Sequence, residues 1–92
     1  MSETKAPTVL EEANAAVYGP RQQAYGHPRE NFARTARLWA AYLDIPVTAM
    51  DVAQMMVLLK IARLMETPSH RDSWVDMAGY AATGARVMGV DE

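Results

Sequence analysis

Apolar positions recur with a helical period in four segments of this chain, and no segment alternates strictly as a half-buried strand does. The first segment covers 8–18. Thr8 and Glu11 have capping-box spacing, "VLEEANAAVY" places apolar residues at 9, 10, 13, 16 and 17, and "YGP" ends the run. The next stretch, "RQQAYGH", fits a short helical turn or a loop equally well. Pro28 then suits a first helical position and opens a second helix over 28–43. Phe32, Ala36, Trp39 and Leu43 form its apolar stripe, while Arg29, Arg34 and Arg37 lie on the solvent side.

"DIPV" interrupts the pattern, because the residue before Pro46 is biased away from helix. Thr48 and Asp51 repeat the cap spacing and open a third helix over 49–66, which "TPSH" closes. Ser69 and Asp72 repeat it again and open a last helix over 70–88. The expectation is an all-α fold, a compact bundle of four helices in one domain over 8–89. A disordered lead, 1–7, precedes it and an acidic tail, 90–92, follows.

The third helix is apolar on almost every side, from Val52 through Met65. Either the other helices surround it or it lies against another subunit. A domain of 92 residues rarely encloses a whole helix, so a homo-oligomer is expected. Lys60 and Arg63 interrupt this helix on adjoining parts of one face. In the open their stems pack and their heads reach water; enclosed, they require acids or an anion. Asp72 and Asp76 are the nearest acids across the turn. Asp72 has a sufficient local role in a cap. Asp76 has none, and Tyr80 stands one turn beyond it. The small residues Ala78, Gly79, Ala81, Ala82, Gly84 and Ala85 point to close approach of another helix or of a ligand.

Composition narrows the chemistry. With no cysteine, disulfides, thiolate metal sites and cysteine nucleophiles are excluded, and a reducing cytoplasm suits the chain. A net charge of −2 and dispersed arginines give no footprint for sequence-specific nucleic-acid binding. The longest apolar run is broken by Gln54, Lys60 and Arg63, and nothing at the N-terminus resembles a signal peptide, so no membrane role is expected. The seven methionines read first as flexible core filler. Asp72 and Asp76 are weak candidates for a Mg²⁺ site, incomplete without Glu30 or Glu66, and His27 and His70 read as turn or cap residues. No phosphate loop, dinucleotide fingerprint or nucleophile–base pair is present.

Three stretches together, "RQQAYGHPRENFARTARLWAAYL", "DVAQMMVLLKIARL" and "HRDSWVDMAGYAA", resemble a small family of phage and prophage proteins classed as a domain of unknown function. The likeness covers 9–86 and includes Arg21, Tyr25, Gly26, Asn31, Trp39, Asp51, Met56, Lys60, Arg63, Asp72, Asp76, Gly79 and Tyr80. It implies phage origin and action in the host cell cytoplasm. A weaker likeness is to helical domains associated with phage nucleotide modification and to all-α MazG-type pyrophosphohydrolases. Those bind Mg²⁺ through ExxE and ExxD pairs; here Glu11 and Glu12 are adjacent and the last helix has DxxxD at 72–76.

The expected function is a phage accessory protein, a small non-enzymatic oligomeric helical binding module for a host protein or an anionic small molecule such as a nucleotide. Its candidate ligand site comprises Tyr25, Asn31, Lys60, Arg63, Asp72, Asp76 and Tyr80. Lys60 and Arg63 would face phosphate, the aspartates would fix those cations or share a metal, and Tyr25 or Tyr80 would stack. The alternative is a Mg²⁺-dependent MazG-like nucleotide pyrophosphohydrolase or a protein associated with nucleotide modification.

Overall fold

Helices begin in this chain where a side chain can satisfy amide groups that the first turn leaves without partners. The computed structural model describes residues 5–20 and 26–91. Among them it contains α1 (Val9–Tyr18), α2 (Pro28–Leu43), α3 (Ala49–Glu66) and α4 (Arg71–Val87), and no strand. The all-α expectation is met, with helix ends within a residue or so of those read from the sequence.

Two capping boxes form as the spacing predicts. Glu11 N donates to Thr8 Oγ1 at 3.1 Å, and Thr8 N donates to Glu11 Oε1 at 2.8 Å. Asp51 and Thr48 make the same reciprocal pair at 3.1 and 2.9 Å. The Thr8 amide, with the Thr8 hydroxyl, holds the Glu11 carboxyl below the usual carboxylate range. Pro28 stands at the first position of α2, and His27 Nδ1 caps it by accepting from Arg29 N at 3.0 Å. Asp44 ends α2 in the left-handed region, at φ 55°.

The start of α4 departs from expectation. Its cap is His70, one residue after Ser69, and the residue in the third helical position is Ser73, not Asp72. Tertiary packing selects this register: Ser73 is 1% exposed, with its Oγ hydrogen-bonded to His70 Nδ1 at 2.7 Å. Trp74 Nε1 also donates to Pro68 O at 2.9 Å and fastens the turn. Asp72 is left exposed in the first turn.

The central helix is α4, which packs on α1, α2 and most extensively on α3. Lys60 lies opposite Asp76 and Ala53 opposite Gly84, so α3 and α4 run antiparallel. Arg71 reaches Pro7 and Glu12 while Arg86 reaches Val17 and Tyr18, so α1 runs parallel to α4. Of the expected disordered lead, residues 1–4 lie outside the described residues, and Pro7 is held by its carbonyl to Arg71.

The buried apolar residues are mostly small: Ala13, Val17, Ala36, Val52, Ala53, Leu64 and Val87. A Cβ at Gly84 would come within 3.1 Å of Ala53 Cβ, a backbone-anchored atom that cannot rotate away. Small residues on α4 therefore set the close spacing of α3 and α4. At Gly79 the same test meets only Val17 Cγ2 at 3.8 Å, an ordinary contact.

The molecule measures 58 × 33 × 21 Å, and the short dimension equals roughly two helix diameters. In two layers no helix can be surrounded, so of the two placements open to α3, enclosure by the others does not occur. Leu58 is 61% exposed and Met65 80%. The reading of methionine as core filler fails for Met50, Met55, Met65 and Met88, which are all exposed, while Met56 and Met77 are half-buried. Leu43, assigned to the apolar stripe of α2, is exposed too, although it stands two turns from the buried Ala36 on the same side of the helix.

These contacts separate two glycines of the same helix. Gly79→Ala is expected to raise stability by up to ~1 kcal/mol through helix propensity alone. Gly84→Val is expected to lower it by about 1–3 kcal/mol by forcing α3 from α4. Urea denaturation of both variants checks this, and equal shifts of the same sign would contradict the packing described.

Candidate functional site

Two surfaces emerge from this arrangement, a polar seam along α4 and an apolar face on α2 and α3. The seam begins where α3 turns Lys60 inward against α4. Its Nζ lies 3.0 Å from Asp76 Oδ2, with side-chain exposures of 15% and 47%. Lys60 is thus shielded while its partner remains half in water. One turn on, Tyr80 joins Asp76 in lining a cleft between α1 and α4 of about 390 Å³, with Val17, Val75, Gly79 and Thr83 among its walls.

The other expected site residues are not gathered here. Arg63 and Asp72 are exposed and do not line the cleft, and neither does Asn31, exposed in the first turn of α2. Tyr25 lies outside the described residues. Among the described residues no three His, Asp or Glu side chains converge as metal ligands, and Asp76 is engaged by a cation. The seam can hold helices together and offer a carboxylate, a phenol and a hydroxyl to a small ligand.

Sequence reasoning missed two arginines that fix α1. Arg71 Nη2 donates to Pro7 O at 2.7 Å, and its Nη1 forms an ion pair with Glu12. Arg86 is 5% exposed; its Nη1 donates to Val17 O at 3.3 Å, and its guanidinium lies 5.2 Å from the centroid of the Tyr18 ring. A cation on the last carbonyls of α1 also opposes the negative end of that helix. The sequence signal for Arg86 was slight: one arginine in the last turn of a helix whose second half is mostly small residues. Its hydrogen-bond partner Val17 stands 69 positions away.

The apolar face is larger. Met55, Leu58, Ala62 and Met65 are exposed along α3 at spacings of three, four and three, the rhythm of a coiled-coil seam. Leu59 and Ile61 flank it, 47% and 39% exposed. At the Met55 end it runs onto α2 through a hollow of about 400 Å³ lined by Trp39, Tyr42, Leu43 and Met55. Tyr42 is 89% exposed. No charged residue interrupts α3 on this side between Asp51 and Glu66. Among the described residues no helix is long and apolar enough to cross a membrane.

Fold and surfaces define a small helical protein with a thin core and a large apolar face. The chain belongs to the DUF6378 family, a domain of unknown function, whose model matches residues 8–88. It is 49% identical over 80 residues to the Gene 55 protein of Mycobacterium phage D29, covering 87% of this chain and 53% of that one. It is also 49% identical over 75 residues to the Gene 55 protein of Mycobacterium phage L5, covering 80% of this chain and 48% of that one. The chain therefore spans about half the length of these curated relatives. No solved structure matches it. The likeness to phage proteins of unknown function is thereby shown.

The two polar features differ in weight. Because Asp76 is half exposed, solvent screening limits its pair with Lys60, and a double-mutant cycle with Lys60→Met and Asp76→Leu is expected to give a coupling of about 1 kcal/mol or less. Arg86→Met removes a buried charged hydrogen bond and is expected to cost about 2 kcal/mol, with faster amide exchange throughout α1. A larger loss from Lys60→Met than from Arg86→Met would reverse this order.

Proposed function

We propose that this chain is a non-enzymatic binding module of its phage family, and that it works by docking a protein surface onto the apolar face of α2 and α3. The observation that carries this reading is the row of exposed apolar side chains from Tyr42 through Met55, Leu58 and Ala62 to Met65, broken by no charge. Monomers seldom expose contiguous apolar surface on this scale unless it meets a partner. Methionine suits such a surface, since its flexible thioether adapts to the opposing shape.

A protein partner is favoured over a nucleotide. Lys60, expected to meet phosphate, is engaged by Asp76, and Arg63 stands apart from the cleft. The cleft instead presents a carboxylate, which repels phosphate. Action in the cytoplasm of the infected cell accords with the cysteine-free composition.

A photocrosslinking phenylalanine in place of Leu58, introduced in mycobacterial cells making the protein, is expected to trap covalent protein adducts. The same group in place of Arg37, exposed on α2, is expected to trap few. Equal or absent trapping at both positions would overturn the docking role.

A further inference from the structure

The apolar face has a helical rhythm along its length and acids at its two ends. Along α3 the row from Met55 through Leu58 and Ala62 to Met65 keeps the spacing at which one helix receives the apolar side chains of another. Leu38 and Tyr42, both exposed and one turn apart on α2, widen the row on one side.

At the Met55 end stand Asp51, one turn earlier on α3, and Asp44, exposed beside the Leu43 wall of the hollow. Asp51 also answers the positive end of α3 by accepting from the Thr48 amide at 2.9 Å, which leaves Asp44 as the acid in excess. At the other end Glu66 adjoins Met65 and is the last residue of α3, so the negative end of the helix adds to its charge. Arg63 is exposed but stands off the face, about 100° or more around α3 from Leu58 and Ala62.

These charges select among occupants. A second copy of this chain brings acid to acid in either sense, duplicates in a parallel pair and Asp51 beside Glu66 in an inverted one. An anionic lipid surface meets the same acidic border. A helix with basic ends meets it favourably, and border charges of this kind steer encounter and reject wrong partners.

We infer that the face receives an amphipathic helix of another protein, with apolar residues recurring at three and four and Lys or Arg at both ends. The stretch from Asp51 to Glu66, about 15 residues at ~1.5 Å each, sets the length of that helix at ~22 Å, or about four turns. The inference rests on the docking role proposed above and specifies its partner.

Synthetic peptides of about 18 residues, enough for that length, test it against the full chain by fluorescence anisotropy. Two carry leucine at the same heptad positions on an alanine and glutamine background, one with paired lysines at each end and the other with paired glutamates. The lysine peptide is expected to bind about tenfold more tightly, with the gap narrowing as salt is raised. A third peptide, with lysine ends and its leucines moved off the heptad, is expected to bind more weakly than the first by about the same factor. Leu58→Lys is expected to weaken binding of the lysine peptide about a hundredfold, with helical circular dichroism retained because Leu58 is exposed. Glu66→Lys is expected to cut the charge preference about threefold while leaving the apolar row intact.

Equal affinity for the first two peptides, equal affinity for the third, or binding of none overturns the inference. So does a dimer of the chain that Leu58→Lys dissociates, or binding to phosphatidylglycerol vesicles that Leu58→Lys abolishes. In each of these cases adducts to other proteins from the crosslinker at position 58 would still uphold the docking role, and their absence would overturn that role as well.

Discussion

The close approach of α3 to α4, set by Ala53 against Gly84, is the contact on which the rest of the structure depends. Small side chains at the crossing let backbones approach, so the interior is thin and filled by alanine and valine. The thin interior takes in Leu64 but leaves Met55, Leu58, Leu59 and Met65 of α3 outside. The apolar face is thus a consequence of how the helices pack. It carries hydrophobic free energy that folding of one chain leaves unrealised, at roughly 25 cal/mol for each Å² later covered.

Polar contacts take a secondary place in this arrangement. Lys60 and Asp76 align α3 on α4 without burying both charges, which keeps the desolvation cost low. Arg71 and Arg86 hold the two ends of α1 along α4. The shortest of the four helices is thereby fixed by two long side chains from the central helix, with Ala13 and Val17 as its buried contribution. The cleft beside Asp76 and Tyr80 is a product of this docking, since one of its walls belongs to α1.

Much of the fold was legible in the sequence because it is encoded locally. Thr8–Glu11 and Thr48–Asp51 act within four residues, and Pro28 marks a helix start by its own geometry. The start of α4 was misplaced by one residue because a buried Ser73, a tertiary feature, outweighed the Ser69–Asp72 spacing. Of the candidate site, Lys60 with Asp76 was accessible by reasoning, since a short turn brings their helices back together. Arg86 was not, because nothing near it in sequence names Val17 or Tyr18. Periodicity also identifies α3 as apolar on several sides, but it cannot say which sides the other helices leave open. That depends on the two-layer packing.

Methionine oxidation reads the central claim most directly, because the exposed methionines divide between the face and the rest of the surface. Met55 and Met65 lie on the apolar face of α3, whereas Met88 lies at the end of α4 and is 55% exposed. Peroxide oxidation, followed by mass spectrometry, should show Met55 and Met65 protected relative to Met88 in cells making the protein and oxidised readily in the purified, diluted chain. If Met65, 80% exposed in the single chain, oxidises as fast relative to Met88 in cells as in the purified chain, the face is open to water and the account is wrong.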